Sequence, residues 1–123
     1  MTIEELYDRI GGDLEGVRKR LPSDDLIARF IVRFADDESC AQAAAAWSEG
    51  DEASAFEAAH KAKGVCANLG LSKLWNIAND ITEALRPGNS DVRATTDVDA
   101  LVKQLASEHA STLDAIREFS ASA

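Results

Sequence analysis

The sequence holds little of what would mark several functional classes. It has two cysteines, Cys40 and Cys66. That is too few for a disulfide scaffold, and they lack the close spacing of a metal knuckle, so buried free thiols are expected. Aromatic residues make up only 6% of the chain, so its core must be built mainly from aliphatic and alanine side chains. Basic residues are outnumbered, 13 Lys and Arg against 22 Asp and Glu, for a formal charge of −9. Such a balance argues against nucleic acid or an anionic membrane surface as partner. No apolar run approaches the ~20 residues of a membrane span. Met1 leads into polar sequence without a signal-peptide pattern, so a cytoplasmic location is expected. The chain reads as a stand-alone protein, although a piece of a larger kinase would look the same. It has no Gly-rich nucleotide loop, Walker lysine or kinase signature, so it cannot phosphorylate itself from ATP.

With two prolines in 123 residues, few helix breakers interrupt what is there. The length suits one domain, residues 1–123, around a single core. Thr2-Ile3-Glu4-Glu5 is a capping-box pattern opening a short helix that Gly11-Gly12 ends. Asp13 caps a second short helix through Leu14, Val17 and Leu21. Pro22-Ser23 starts a longer one to about Asp37, with Leu26, Ile27, Phe30, Ile31 and Phe34 as its apolar stripe. Ser39 is expected to cap an alanine-rich helix to Ser48. A helix from Glu52 to Leu69 follows, between an Asp51 cap and a Gly70 stop. Ser72 restarts the chain as Lys73 to Arg86, with Leu74, Ile77, Ala78, Ile81 and Leu85 inward. Residues 87–95 read as a loop, and Thr96-Asp97-Val98-Asp99 caps a last helix to about Ser120. No alternating β pattern, repeat or low-complexity tract breaks this reading. The expected fold is all-α: an antiparallel four-helix bundle over residues 23–120, with short additional N-terminal helices in 1–21.

The stretch from Ala59 to Gly70 carries the chemistry. At 100° per residue, Ala55, Ala58, Ala59, Ala62, Val65, Cys66 and Leu69 share one face of their helix. His60 points nearly the opposite way, beside Lys63, Gly64, Ala67 and Asn68. A glycine inside a helix costs roughly 1 kcal/mol relative to alanine, so Gly64 is expected to clear room for a close approach. Lys63 can pair with phosphate oxygens. An imidazole with the ordinary pKa near ~6.5 is mostly neutral at pH 7 and keeps one ring nitrogen free as a nucleophile.

The run Ala59-His60-x-x-Lys63-Gly64, followed by Gly70 and Leu74, resembles the histidine-containing phosphotransfer (HPt) domain family of two-component phosphorelays. The motif spans about 16 residues, and the helices on either side suit the same bundle over most of the chain. The family usually has a leucine two residues after the histidine, where this sequence has Ala62, which points to tighter helix packing there. The resemblance implies that His60 is the phosphoacceptor, with Lys63 stabilising the phosphoryl group and Gly64 giving access. It implies as partner the receiver domain of a response regulator or hybrid histidine kinase. That receiver would bring Mg²⁺, and this chain itself would bind no cofactor or metal. Ala53, Phe56, Ala67 and Asn68 are the expected docking contacts of a transient complex with a monomer.

Each signal has a plainer reading. Lys61 is expected to be a solvated side chain, Phe56 is as well suited to core-edge packing as to docking, and Trp47 and Trp75 read as packing. His109 falls on the apolar stripe between Leu105 and Thr112, as a hydrogen-bonded, half-buried structural histidine would. Glu57-x-x-His60 is half of a di-iron pattern, but no second Glu-x-x-His exists, because Ala106 precedes His109 by three. A rival function is a non-catalytic helical interaction module that docks receiver or kinase domains without carrying phosphate.

Overall fold

A computed structural model describes residues 1–122, and every regular element among them is helical. In chain order these are α1 (Ile3–Ile10), α2 (Leu14–Arg20), α3 (Asp24–Arg33), α4 (Ser39–Ser48), α5 (Glu52–Leu69), α6 (Ser72–Leu85), α7 (Ser90–Ala94) and α8 (Val98–Ala121). A 3₁₀ turn, Phe34–Asp36, extends α3.

Most helix ends follow the chemistry written in the sequence. The Thr2 and Glu5 side chains each accept a hydrogen bond from the other residue's backbone N–H, completing the capping box. Asp13, Ser23, Asp51 and Asp97 accept from the backbone N–H groups of Gly16, Leu26, Ser54 and Ala100. Three expectations need correction. Ser39 does not cap α4: it is the helix's first residue, it is buried, and its amide and hydroxyl both donate to Asp37. The Asp37 carboxylate therefore does the work assigned to the serine. Ser72 likewise begins α6 rather than capping it. The stretch 87–95 is not all loop, since Ser90–Ala94 forms a helical turn after the Pro87–Gly88 break.

The bundle is built from α4, α5, α6 and α8, whose most extensive packing is α5 on α6 and α4 on α5. α8 closes the ring against α4 and α6. α1 lies on α8, and α3 packs on α8 and α5. These outer helices are part of the core, for Leu6, Tyr7, Ile27 and Ile31 are buried with Leu74, Ile81, Leu105 and Ile116. Fully burying an aliphatic side chain of this size is worth roughly 1.5–3 kcal/mol. Phe30 departs from the expected stripe. It remains 36% exposed on α3, at the edge of a hollow, while Ile27, Ile31 and Phe34 turn inward.

The α5–α6 hairpin matters most for the site. Gly70 has φ +64°, a left-handed conformation that glycine adopts without strain, and its carbonyl accepts from the Asp13 amide at 2.8 Å. A Cβ there would meet the Asp13 carbonyl oxygen at 2.6 Å, so only glycine lets α2 sit this close. Below it, the Tyr7 hydroxyl donates to the Leu69 carbonyl at 2.7 Å, and Arg20 donates to the carbonyls of Ala67 and Asn68. The last turn of α5, which would otherwise carry orphaned carbonyls, is thus tied to α1 and α2. The inward face of α5 is nearly all alanine: Ala55, Ala59 and Ala62 are at most 1% exposed. Small side chains let the neighbouring helices approach closely, which fixes how α5 is rotated and so which residues it turns outward.

Candidate functional site

His60 lies midway along α5 on the open face, exposed, with Ala53, Gly64, Ala67 and Asn68 exposed on the same side. The helix buries Ala58, Ala59 and Ala62 around it and so leaves the imidazole outside the core. An ideal Cβ built on Gly64 would meet nothing within 4 Å. No packing inside the described residues requires glycine at that position, and the backbone one turn beyond His60 is bare.

Phe56, one turn before His60, is half-buried, and its ring centroid lies 5.9 Å from that of His60 in a tilted arrangement. The guanidinium of Arg86, the residue that ends α6, lies over the Phe56 ring, 5.5 Å from its centroid. Phe56 thus packs against the His60 imidazole and the Arg86 guanidinium, and it is not one of the side chains packed on the core cluster.

Lys63 is less open than its place on the outward face of α5 implied. Its side chain is only 25% exposed and crosses to α6, where Nζ lies 5.7 Å from the Trp75 ring centroid and 3.9 Å from Glu83 Oε1. The same Glu83 carboxylate accepts a fork from Arg86, Nη2 at 3.0 Å and Nε at 3.2 Å, and a bond from Asn89 Nδ2 at 3.3 Å. Hydrogen bonds from Arg86 hold the Glu83 carboxyl below the usual carboxylate range, with the charges of Arg86 and Lys63 adding to this. The site thus contains Glu83 and Arg86, which inspection of the α5 motif alone missed. A signal was there: folding the chain back at Gly70–Leu71 brings α6 residues 78–86 opposite the 56–63 stretch.

The other flank of α5 is different in kind. Beside Val65 and Asn68 lies a hollow of about 390 Å³, walled by Leu21 and Phe30 and rimmed by Arg20 and Arg33. Lys61 and Glu57 are exposed between that hollow and His60. Glu57 and His60 both face outward, and no three His, Cys, Asp or Glu side chains among the described residues are gathered as metal ligands.

His109 lies apart from this surface, on α8 against Phe34 with ring centroids 5.8 Å apart and edge-on. It is half-buried as expected, but its Nε2 is buried without a hydrogen-bond partner, contrary to expectation. Burial lowers its pKa, Asp37 opposes that shift and Arg117 reinforces it. Trp47 packs beneath Arg93 and donates Nε1–H to Asp99 at 2.6 Å. Cys40 and Cys66 are free and buried, and the sulfur–sulfur contact and burial push the Cys66 thiol up.

An all-helical bundle presenting one exposed imidazole among cations and open backbone is an arrangement for receiving an anionic group. The chain belongs to the Hpt domain family, whose sequence model matches residues 3–118. Searches of curated proteins and of solved structures found no match. Family membership carries a general role in histidine phosphotransfer within two-component phosphorelays, and with it interaction with receiver domains and kinases. No helix among the described residues is long and apolar enough to cross a membrane.

Proposed function

We propose that this chain is a phosphorelay intermediate in which His60 accepts a phosphoryl group from a receiver-domain aspartate and passes it to the aspartate of another receiver. The observation that supports it most is the exposed His60 imidazole beside the uncovered backbone at Gly64, on a helix whose opposite face is locked into the core. A nucleophile that a partner must reach in line needs that combination of access and fixed orientation.

In the proposed step, the lone pair of a neutral His60 ring nitrogen attacks phosphorus. The P–N bond forms as the P–O bond to the aspartyl carboxyl breaks, and that bonding pair leaves with the carboxylate. The other ring nitrogen keeps its proton while the phosphoryl group is attached and returns to neutral when the group departs. Mg²⁺ belongs with the receiver, where it supplies charge neutralisation at the phosphoryl oxygens when bound. This chain holds the imidazole in place, offers the Lys63 ammonium one turn away and leaves space at Gly64. Ala53, Phe56, Ala67 and Asn68 form the proposed contact patch around His60, and the Phe30-lined hollow extends it toward α3. A contact of this kind is modest and transient, between a receiver and a monomer of this chain.

The test is transfer of labelled phosphate from a phosphorylated receiver domain. Label that arrives in an acid-labile, base-stable form, and fails to arrive on His60→Gln with an unchanged helical circular dichroism spectrum, is the expected result. Receivers that bind the wild type and the variant equally, with no label ever transferred, would make this a docking module and refute the proposal.

A further inference from the structure

Glu83 is the unexpected member of the site. A surface built only to receive a phosphoryl dianion has no use for a carboxylate in its midst, because like charges repel. Yet Glu83 Oε1 lies 3.0 Å from Arg86 Nη2 and 3.9 Å from Lys63 Nζ, so one oxygen occupies both cations that flank the His60–Phe56 cluster. Asn89 anchors Glu83 further, donating from Nδ2 to its carbonyl at 3.0 Å as well as to its carboxylate. Arg86 is in turn placed over Phe56, the ring adjacent to His60.

We propose that Glu83 is a positioning residue that competes with the phosphoryl group on His60 for Lys63 and Arg86, and so keeps the phosphohistidine ready to be given up. This rests on the phosphotransfer reading above and deepens it. When His60 is unmodified, the carboxylate satisfies both cations and holds them against α6. When a phosphoryl group arrives, its oxygens draw on the same Lys63 and Arg86 while the Glu83 charge repels it. The carboxylate thus offsets part of the stabilisation the cations offer. A site with the cations but no carboxylate would bind the phosphoryl group more firmly and act as a sink instead of a relay. No bond is made or broken at Glu83. Its effect is electrostatic and appears in the equilibrium of transfer.

The experiment is the equilibrium constant for transfer between one phosphorylated receiver and this protein, measured with label from both directions at low salt. Glu83→Gln keeps the size of the side chain and one acceptor oxygen, turns the other oxygen into an NH2 donor and removes the charge. It is expected to shift the equilibrium toward phospho-His60 by on the order of tenfold, the scale on which removing one negative charge beside Lys63 and Arg86 favours a dianion in water. Arg86→Gln should shift it the opposite way, Glu83→Asp should remain near wild type, and the Glu83→Gln shift should shrink as salt rises from 50 mM to 0.5 M. A purely structural role would lower stability without reversing sign between Glu83→Gln and Arg86→Gln. Wild-type label with an equilibrium within twofold of wild type in a folded Glu83→Gln variant would overturn this inference and leave the phosphotransfer reading intact. Wild-type protein that takes no label at all would overturn both.

Discussion

Replacing Gly64 separates what the fold wants from what the site wants. Gly64 lies inside α5, five residues from its C-terminal end, and a Cβ there would enter open space. Alanine removes the entropic penalty of a helical glycine, about 1 kcal/mol, and no clash is present to cancel the gain. For a domain of this length, that corresponds to a rise in melting temperature of roughly 3–5 °C. The same methyl group projects from the backbone one turn beyond His60, where the proposed function has a receiver approach. In-line transfer depends on near-attack geometry, and a displacement of ~1 Å can cost about 10²-fold in rate. Gly64→Ala is therefore expected to melt higher and transfer several-fold more slowly. Gly64→Gln, which fills the space, should lose about 100-fold while remaining folded. Thermal melts followed by circular dichroism give the first quantity, and rapid-quench transfer from a labelled receiver gives the second. Gly64→Ala melting below wild type would show that glycine is needed by the fold. Gly64→Gln transferring at the wild-type rate would show that nothing approaches there.

Two further outcomes follow from buried groups away from the site. Tyr7 is the only tyrosine in the chain, is 2% exposed, and has its pKa pushed up to about 12 by burial. The folded state therefore favours the protonated phenol, so this contribution is intact below the ordinary tyrosine value near ~10 and is lost as pH rises toward 12, by about 2–3 kcal/mol in all. Absorbance titration should show this single phenol ionising late. Tyr7→Phe should cost about 1–3 kcal/mol at pH 7 through the lost bond to Leu69, and it should lack the alkaline limb; a phenol titrating near 10 in the native protein would contradict this. For His109, burial lowers the pKa, so its contribution is intact above the ordinary imidazole range and declines as pH falls below it. Thermal melts between pH 7 and 5 should fall less steeply for His109→Phe than for wild type, and parallel curves would show that the imidazole is not the acid-sensitive group.

Much of this architecture is legible from local signals. Thr2, Asp13, Ser23, Asp51 and Asp97 cap as their side-chain oxygens allow, and the alanine face of α5 is enough to turn His60 outward. The misreadings come from places where two elements compete. Ser39 has the right chemistry for a cap, but Asp37 two residues earlier accepts its amide instead. Phe30 fits the apolar period of α3 yet stays at the edge, because α3 covers the bundle with one narrow strip and the core is filled by Ile27 and Ile31. Periodicity puts Lys63 on the open face because it describes one helix at a time. Its partners Glu83 and Trp75 lie across the hairpin, and only the register set by Gly70 brings them together. The orphan Nε2 of His109 has no sequence signal at all, since a buried imidazole is expected to find a partner.

The charge of the whole chain and the charge of the site point in opposite directions, and the site prevails for a simple reason. A protein carrying −9 should repel a phosphoryl group. At physiological ionic strength, however, exposed charges beyond about 8 Å are largely screened. On the proposed function, what an incoming group would meet is the local set: Lys63 and Arg86 on one side of His60, Lys61 on the other, with Glu83 and Glu57 interspersed. Within that set the cations lie on both flanks, and Glu83 is itself held by Arg86 and Lys63. The distant carboxylates act on a different problem: they disfavour polyanions, whose binding requires many cations acting together over a wide surface. A small chain can thus be strongly acidic overall and still offer a locally favourable place for a dianion, provided its few cations are carried by the two helices that frame the imidazole.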